Sequence, residues 1–363
     1  MPSYKNVLAW AQRNERHLGA VVFVTGFITD IFTFGELGLS WVSLLFIGYI
    51  VLTGIAIIFT HHSHSQSQLA ESTPRRTTRI VAPLVAQFFI GSLLSGTLIF
   101  YARSATLFVS WPFLILLIAI FVGNEYFRKY KERLTFQAIQ FFLVVYAYTL
   151  FAFPFYTHTL TKQTFLYSSL VAVSLSFTFF LILFFVGKKR FLESFTRLFT
   201  ACTFLTALLI GSYYTGILPP LPLSLKDVGV YHSLERTNGT YVLTQEVSTP
   251  WYLPFAPTVM HIQAGEPLYG YSAVFAPGSF STNLIHAWEK YDVVQKKWIP
   301  QSKVAFTLSG GRNDGYRGYS YITNATPGPW RLSVLSESEQ VLGRVQFEVQ
   351  QVDTEPTLET VIK

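Results

Sequence analysis

The hydrophobic positions divide this chain of 363 residues into two unlike parts. Before residue 218 they form continuous apolar runs that are long enough to cross a bilayer as helices, because a hydrocarbon core of about 30 Å needs roughly 20 residues. After residue 218 they occur in short alternating runs between turn residues, as in half-buried strands. The pattern therefore predicts a polytopic α-helical membrane domain followed by an all-β, sandwich-like soluble domain.

Seven apolar runs predict about seven transmembrane helices within residues 1–217. They cover residues 18–34, 39–60, 80–102, 106–123, 134–153, 164–186 and 198–218. Pro219, Pro220 and Pro222 follow directly, and proline cannot continue a helix. Residues 218–226 are therefore expected to form a proline-rich linker.

Eight short runs predict strands within residues 227–351. They cover residues 241–247, 259–263, 268–275, 283–291, 303–308, 318–322, 330–335 and 341–349. Because turn sequences rather than helical patterns separate them, we expect an antiparallel, sandwich-like domain. The acidic, polar residues 352–363 are expected to form a flexible tail.

The charged residues give the helices a direction. Only 13% of the chain is charged, against about 25% in ordinary soluble domains. Fourteen Lys and Arg residues lie in the N-terminal segment and the even-numbered loops, whereas the short opposite loops hold only Arg103 and Lys162. The positive-inside rule then predicts a cytoplasmic N-terminus. Seven crossings place the C-terminal domain outside, and an error of one helix would reverse that placement.

The sequence offers little catalytic chemistry. Cys202 is the single cysteine, so an intrachain disulfide and a cysteine metal cluster are excluded. His61, His62 and His64 resemble a metal-binding run, but no carboxylate or cysteine is near in sequence, which favours an interfacial loop. We find no hydrolase, metalloprotease or paired-acid motif, so we expect no cofactor, no metal and a binding protein rather than an enzyme. No basic, aromatic-lined patch indicates nucleic acid.

The glycine- and arginine-rich loop at residues 310–321 is the sharpest local signal. Glycine allows close approach of another backbone, and Arg312 and Arg317 could hold a carboxylate or phosphate beside Tyr316. A P-loop is excluded, since the Lys-Ser/Thr pair and a following helix are missing. The alternative is a hairpin whose arginines pair with nearby acids.

Aromatic residues in the strand-like runs form a second candidate site. Trp288 and His286, with Trp298 and Trp330, could form a platform for a carbohydrate or peptide. The alternative, that the tryptophans pack in the core, is the commoner arrangement in a β-sandwich.

Two ionisable residues near the outer ends of helices are candidates because charges inside a membrane are costly. Asp30 lies in the first apolar run and Arg103 follows the third, so the two could pair. Acids at several depths, which a proton relay requires, are missing, and a proton-coupled transporter is therefore poorly supported.

Several motifs occur together in the last third of the chain. They are the His286/Trp288 pair, Trp298, the loop GGRNDGYRGYS, GPWRLSV and LGRVQFEV. In this order they resemble the bacterial domain-of-unknown-function family numbered 2914, and upstream segments such as FITDIFTFG resemble its membrane part. The resemblance implies a bacterial cytoplasmic-membrane protein with a periplasmic or extracellular C-terminal domain. It supplies no activity and no residue roles.

Three functions remain open. The favoured one is a membrane protein whose β-domain binds an envelope glycan, peptide or protein partner. The second is a structural or assembly subunit of a membrane complex. The third is a membrane enzyme or transporter with a site where the helices meet the outer domain. The lipid bilayer is the expected partner in every case, and the oligomeric state stays open.

Overall fold

The computed structural model of the protein describes residues 27–32, 39–65, 73–104, 107–126, 133–219, 222–237, 239–246, 258–276, 280–310, 315–354 and 356–363. The chain divides into a helical unit and a β-rich unit, and the boundary at the end of the last helix falls between Ile217 and Leu218. The short segments Ser104–Ser110 and Pro154–Phe165 group with the β-rich unit.

The helical unit contains six long helices among the described residues. They are α1 (Leu39–Ser65), α2 (Thr73–Ser104), α3 (Leu107–Tyr126), α4 (Leu134–Thr157), α5 (Lys162–Val186) and α6 (Lys188–Tyr214). The first predicted segment, 18–34, is described only at residues 27–32, which are helical. The six long helices coincide with the other predicted segments.

Five of these helices are long and apolar enough to cross a membrane within the described ranges. The apolar spans are Ser40–His62, Val85–Ala102, Leu134–Thr157, Lys162–Val186 and Lys188–Tyr214. The apolar part of α3, Ser110–Gly123, is shorter. The count of seven crossings therefore stays a prediction.

Helix α6 begins ten residues before the predicted start of the last segment. Its first turns contain Lys188, Lys189, Arg190 and Glu193, which interrupt the apolar run and hide the helix from a hydropathy criterion. Only Gly187 separates it from α5, and the Phe191 amide donates to the Gly187 carbonyl at 2.9 Å. The basic run thus lies within a helix rather than in a loop.

The β-rich unit contains eleven strands among its described residues. They are β1 (Ser224–Tyr231), β2 (Ser233–Thr237), β3 (Thr240–Glu246), β4 (Thr258–Ile262), β5 (Leu268–Phe275), β6 (Ser281–Asp292), β7 (Lys297–Ser309), β8 (Tyr316–Ile322), β9 (Gly328–Ser336), β10 (Val341–Gln351) and β11 (Leu358–Ile362). All eight predicted strands are present, with bounds that differ by a few residues.

The strands form three sheets. The five-stranded sheet has the order β4-β10-β9-β6-β7, the middle sheet the order β1-β5-β8, and the third sheet the order β11-β3-β2. The described pairs are antiparallel except β10 with β4, which is parallel. The expected antiparallel arrangement therefore has one exception, at the edge strand β4.

The middle sheet has a packed layer on each side. On one face of β5, Leu268 and Val274 join buried clusters with residues of β6, β9 and β10, such as Leu332. On the other face, Tyr271 and Ala273 pack against β3 residues of the third sheet. Strand β5 is buried on both faces, so the β-rich unit extends a two-sheet sandwich by a third layer.

Two predictions about the ends of the domain are wrong. Strand β1 begins at Ser224, inside the predicted linker 218–226, because Leu223 and Leu225 pack into the core and fix the chain there. The predicted flexible tail 352–363 contains β11, which pairs antiparallel with β3. Its alternating Leu358, Thr360 and Ile362 complete the edge of the third sheet, and the acidic composition conceals this.

Candidate functional site

The most distinctive polar cluster lies on the face of the five-stranded sheet that points away from the middle sheet. Register places Glu289 of β6 opposite Arg331 of β9, and Ser333 of β9 opposite Arg344 of β10. The alternate residues of these strands, such as Trp288 and Leu332, point inward to the core. Because side chains alternate between the two faces, the polar set shares the outer face.

An arginine–glutamate pair forms the centre of this cluster. Arg331 donates from Nε and Nη2 to the two oxygens of Glu289, at 2.5 and 2.8 Å, in the bidentate geometry of a strong ion pair. The Ser333 hydroxyl donates to Glu289 Oε2 at 2.9 Å. Burial opposes ionisation of Glu289, but the hydrogen bonds from Arg331 and Ser333 outweigh it and hold its pKa below the ordinary value. The carboxylate is therefore fully engaged.

Arg344 lies beside this pair without an acid of its own. Its Nε donates to Ser333 Oγ at 3.2 Å, and among the described residues it forms no ion pair. Burial and then the positive charge of Arg331 lower the pKa of Arg344, and the negative charge of Glu289 opposes this only in part. The guanidinium nevertheless stays charged, as it does in proteins generally. Two half-buried arginines thus share one carboxylate, and the cluster carries a net positive charge.

Aromatic rings border the arginines on the side of β7. Trp298 pairs with Tyr291 across β7 and β6, with ring centroids 5.2 Å apart. The Arg331 guanidinium lies 4.5 Å from the Trp298 ring centroid, a cation–π contact that holds the arginine in place. We call Glu289, Trp298, Arg331, Ser333 and Arg344 the arginine face.

The arginine face has the chemistry of an anion-binding surface. A guanidinium presents a planar fork of donors that matches carboxylate and phosphate, and the terminal nitrogens of Arg344 have no protein acceptor among the described residues. Trp298 and Tyr291 offer flat apolar area beside it. The arrangement can hold an acidic group and a flat neighbouring moiety.

His286 and Trp288, two of the predicted ligand-binding residues, lie in the core. Both are fully buried. His286 contacts Ser272 Oγ through Nε2 at 2.8 Å and Ser320 Oγ through Nδ1 at 2.9 Å, and Trp288 Nε1 donates to Ser320 Oγ at 2.9 Å. A ligand could touch them only if the sheets separated. The core alternative therefore describes them, and burial lowers the pKa of His286 to about 4.

Of the predicted residues of the glycine-rich loop, the structure describes Tyr316 and Arg317, which contact different parts of the domain. Arg317 Nη1 donates to the Gly239 carbonyl at 3.2 Å, which ties β8 to the β2–β3 turn. Tyr316 packs against a buried cluster. Arg312 lies outside the described residues. The hairpin alternative does not fit Arg317 either, because β7 and β8 pair in different sheets and the partner of Arg317 is a carbonyl and not an acid.

The intramembrane candidates remain predictions. Asp30 is half-buried, but the side chain of Arg103 lies outside the described part, and so does the proposed pair. His61 is buried within α1, which continues to Ser65, and its Nε2 contacts Gln137 Oε1 of α4 at 2.9 Å. The expected interfacial loop at this point is therefore helix, and His61 joins two helices.

A histidine–glutamate cluster escaped the sequence reasoning altogether. His232 contacts Glu266 Oε1 through Nδ1 at 3.0 Å and Glu246 Oε1 through Nε2 at 3.1 Å. His261 contacts Glu246 Oε2 through Nδ1 at 2.7 Å, and its backbone amide donates to Glu246 Oε1. His232, Glu246 and His261 are 14 and 15 positions apart and lie in or beside different strands, so no local motif identifies the cluster.

This cluster is a hydrogen-bonded clasp. Burial opposes ionisation of Glu246, but the hydrogen bonds from His261 and His232 outweigh it and hold its pKa below the ordinary value. Within the described residues, no group of three or more His, Cys, Asp or Glu side chains is arranged to hold a metal ion. The clasp connects the end of β3 and strand β4 to the β1–β2 connection, which holds His232, and to the β4–β5 turn, which holds Glu266.

Solved structures resemble parts of the chain only distantly. A β-glucosidase from Listeria innocua is 12% identical over 30% of this chain and 16% of its own, with a TM-score of 0.19. An immunoglobulin-like protein from Pseudomonas aeruginosa is 11% identical over 34% of this chain and 97% of its own, with a TM-score of 0.20. TM-scores this low carry no argument about fold or function. No curated protein matches the chain.

The match to a protein family is more direct, because it covers the strands that build the arginine face. The matched residues extend from the first residue of β6 almost to the end of β10, and they include Glu289, Trp298, Arg331 and Arg344. Residues 281–349 match the model described as "Protein of unknown function (DUF2914)", so the resemblance seen in the sequence is confirmed and this segment of the C-terminal domain belongs to that family.

Proposed function

We propose that the protein is a multi-pass bacterial membrane protein whose C-terminal β-domain lies outside the cytoplasmic membrane and binds an anionic envelope ligand at the arginine face. One observation carries the binding proposal: Arg344 is a half-buried cation, while Glu289, its neighbouring acid, is already engaged by Arg331. A half-buried arginine that shares its neighbouring carboxylate with a second arginine is incompletely compensated, and incomplete compensation of a buried charge is costly. An acidic ligand would supply the missing counter-charge.

Geometry favours a carboxylate-bearing ligand with a flat face. The fork of Arg344 suits two acidic oxygens, and Trp298 with Tyr291 suits a sugar ring or a peptide side chain. Glu348, on the same face of β10, is four residues from Arg344, or about 13 Å by strand rise. It is too far away to neutralise the arginine. An acidic glycan or an acidic peptide of the envelope meets these requirements.

Binding to defined acidic ligands tests the proposal. Full-length protein in detergent is applied to arrays of uronic-acid oligosaccharides and acidic peptides, with Arg344→Gln as the test variant. Loss of a charge-assisted contact should weaken the affinity for the ligands that the wild type binds by about 10- to 100-fold, because such a contact contributes roughly 1.5–3 kcal/mol. Lys303→Gln removes an exposed cation of β7 that is paired with Glu339 and should leave binding unchanged. Equal effects of the two substitutions would sink the proposal.

A further inference from the structure

The helical unit contains an apolar groove that the proposed binding function does not use. It lies between α5 and α6, has a volume of about 750 Å³ and is lined largely by Phe, Leu, Val and Ile side chains. Phe177, Phe180 and Phe184 contribute from α5, and Phe195 and Phe199 from α6. Pockets of this volume take up ligands of drug or lipid-chain size.

Four polar side chains interrupt the apolar groove wall: Ser176, Cys202, Thr203 and Thr206. The buried Ser176 hydroxyl has no hydrogen-bond partner among the described residues. The Thr206 hydroxyl donates to the Cys202 carbonyl of its own helix at 2.8 Å, so its donor is already used. Apart from the Ser176 hydroxyl, the wall suits a hydrocarbon chain, since its apolar side chains provide dispersion contacts.

A cation stands at one end of the groove. Lys188 Nζ lies 5.8 Å from the ring centroid of Phe184, a lining residue. On α6, residues 188, 192, 195, 199 and 202 follow each other at intervals of three or four and therefore share one helix face. The lysine thus continues the lining stripe beyond the apolar part, and the exposed Lys189 is next to it.

We infer that this groove is a binding site for an anionic phospholipid, with its acyl chains along the phenylalanines and its phosphate at Lys188. Charge complementarity selects this occupant: basic pockets between membrane helices on the cytoplasmic side bind anionic lipid headgroups. The inference rests on the membrane location within the proposed function, but not on ligand binding by the β-domain.

Arg197 supplies a matched control on the same helix. It is two residues from both Phe195 and Phe199, so it lies on the opposite face of α6. Its Nη2 donates to the Glu193 carbonyl at 3.2 Å, and it does not line the groove. Substitution of Lys188 or of Arg197 by Gln removes the same charge within the same membrane segment.

Native mass spectrometry of the full-length protein tests the inference, with dioleoyl-phosphatidylglycerol and dioleoyl-phosphatidylcholine as competing probes. Wild-type protein should retain the anionic phosphatidylglycerol in preference to the phosphatidylcholine. Lys188→Gln should reduce that preference about fivefold, the ratio that corresponds to about 1 kcal/mol per basic residue, and Arg197→Gln should not. Ala207→Trp, which fills the groove, should reduce retention of both lipids.

Three results would overturn the inference. They are equal retention of the two lipids by the wild type, equal losses in the Lys188 and Arg197 variants, and a lipid-free dimer that Ala207→Trp dissociates, which would make a second copy the occupant. Ligand binding at the arginine face, measured on the same samples, keeps a failure here distinct from a failure of the proposed function.

Discussion

His286 shows how a residue can look like a binding group in sequence and serve the core in the folded protein. Its ring connects Ser272 of β5, Ser320 of β8 and, through that serine, Trp288 of β6. A neutral imidazole can donate at one nitrogen and accept at the other, which satisfies both contacts. The residue therefore links the middle sheet to the five-stranded sheet through buried hydrogen bonds.

The low pKa of His286 predicts an acid-sensitive β-domain. Unfolded histidine takes up a proton near pH 6.5, whereas the folded one does so only near pH 4. Stability is therefore full above pH 6.5 and is lost as the pH falls toward 4, by up to about 3 kcal/mol. Urea unfolding of the full chain at a series of pH values, followed by tryptophan fluorescence, measures this loss.

His286→Asn is the matched variant for that measurement, because an amide keeps a donor and an acceptor but does not titrate. We expect a lower stability at neutral pH and a flatter pH dependence between 6.5 and 4. An unchanged slope in the variant would show that another group is responsible.

At the scale of the elements, the histidine–glutamate clasp joins pieces of chain that pair in different sheets. Glu246 ends β3 of the third sheet, His261 lies in β4 of the five-stranded sheet, and His232 follows β1 of the middle sheet. Because the Glu246 carboxylate accepts from both histidines and from a backbone amide, its removal should loosen all three sheets at this end.

Glu246→Gln tests the clasp. Loss of charge-assisted acceptors should destabilise the domain at pH 7 by about 1–3 kcal/mol, while Glu235→Gln, at an exposed position of β2, should stay within about 0.5 kcal/mol. The depressed pKa of Glu246 also predicts the direction of the pH dependence. The ionised carboxylate stabilises the domain above the pKa of the unfolded state, and this stabilisation is lost as the pH falls. The difference between wild type and variant should therefore shrink in acid, and a constant difference would contradict the account.

The elements also show what the sequence can and cannot predict. Alternation located β5 and β6 because several of their inward residues, such as Leu268 and Trp288, are apolar. The proline run lies next to the boundary between the two units. The alternation pattern missed β11, because polar residues such as Glu359 and Thr360 are typical of a flexible tail. Pairing with β3 at the sheet edge needs backbone hydrogen bonds and not an apolar pattern. The first turns of α6 were missed because their charged residues, such as Lys188 and Glu193, interrupt the apolar run.

The arginine face was predicted only in part. The motifs GPWRLSV and LGRVQFEV, which form β9 and β10, carried part of the family resemblance, but the candidate residues were aromatic ones such as Trp330 and those of the glycine-rich loop. Arg331 and Arg344 are thirteen positions apart, and only the antiparallel register of the two strands brings them together. A polar pair on the outer face of a sheet has no local signature apart from the alternation itself.

For the whole molecule, the side of the membrane on which the β-domain lies is the first requirement of the proposed function. In a Cys202→Ser background, which removes the single cysteine, a cysteine replaces either Val294 or Lys189, both exposed. A membrane-impermeant maleimide should label position 294 once the outer barrier is opened, and position 189 only after lysis, because loop charge predicts a cytoplasmic basic run. The reverse pattern would invert the topology.

Photo-crosslinking in living cells tests the central claim, that the arginine face binds an anionic envelope ligand. Gln346 is exposed and lies opposite Arg331 on the same face, so a benzoylphenylalanine there stands at the edge of the site. The account predicts an adduct with an acidic glycan or peptide at position 346, lost on Arg344→Gln and missing when the probe stands at Val294. The same adducts at both positions, or none at 346, would contradict it.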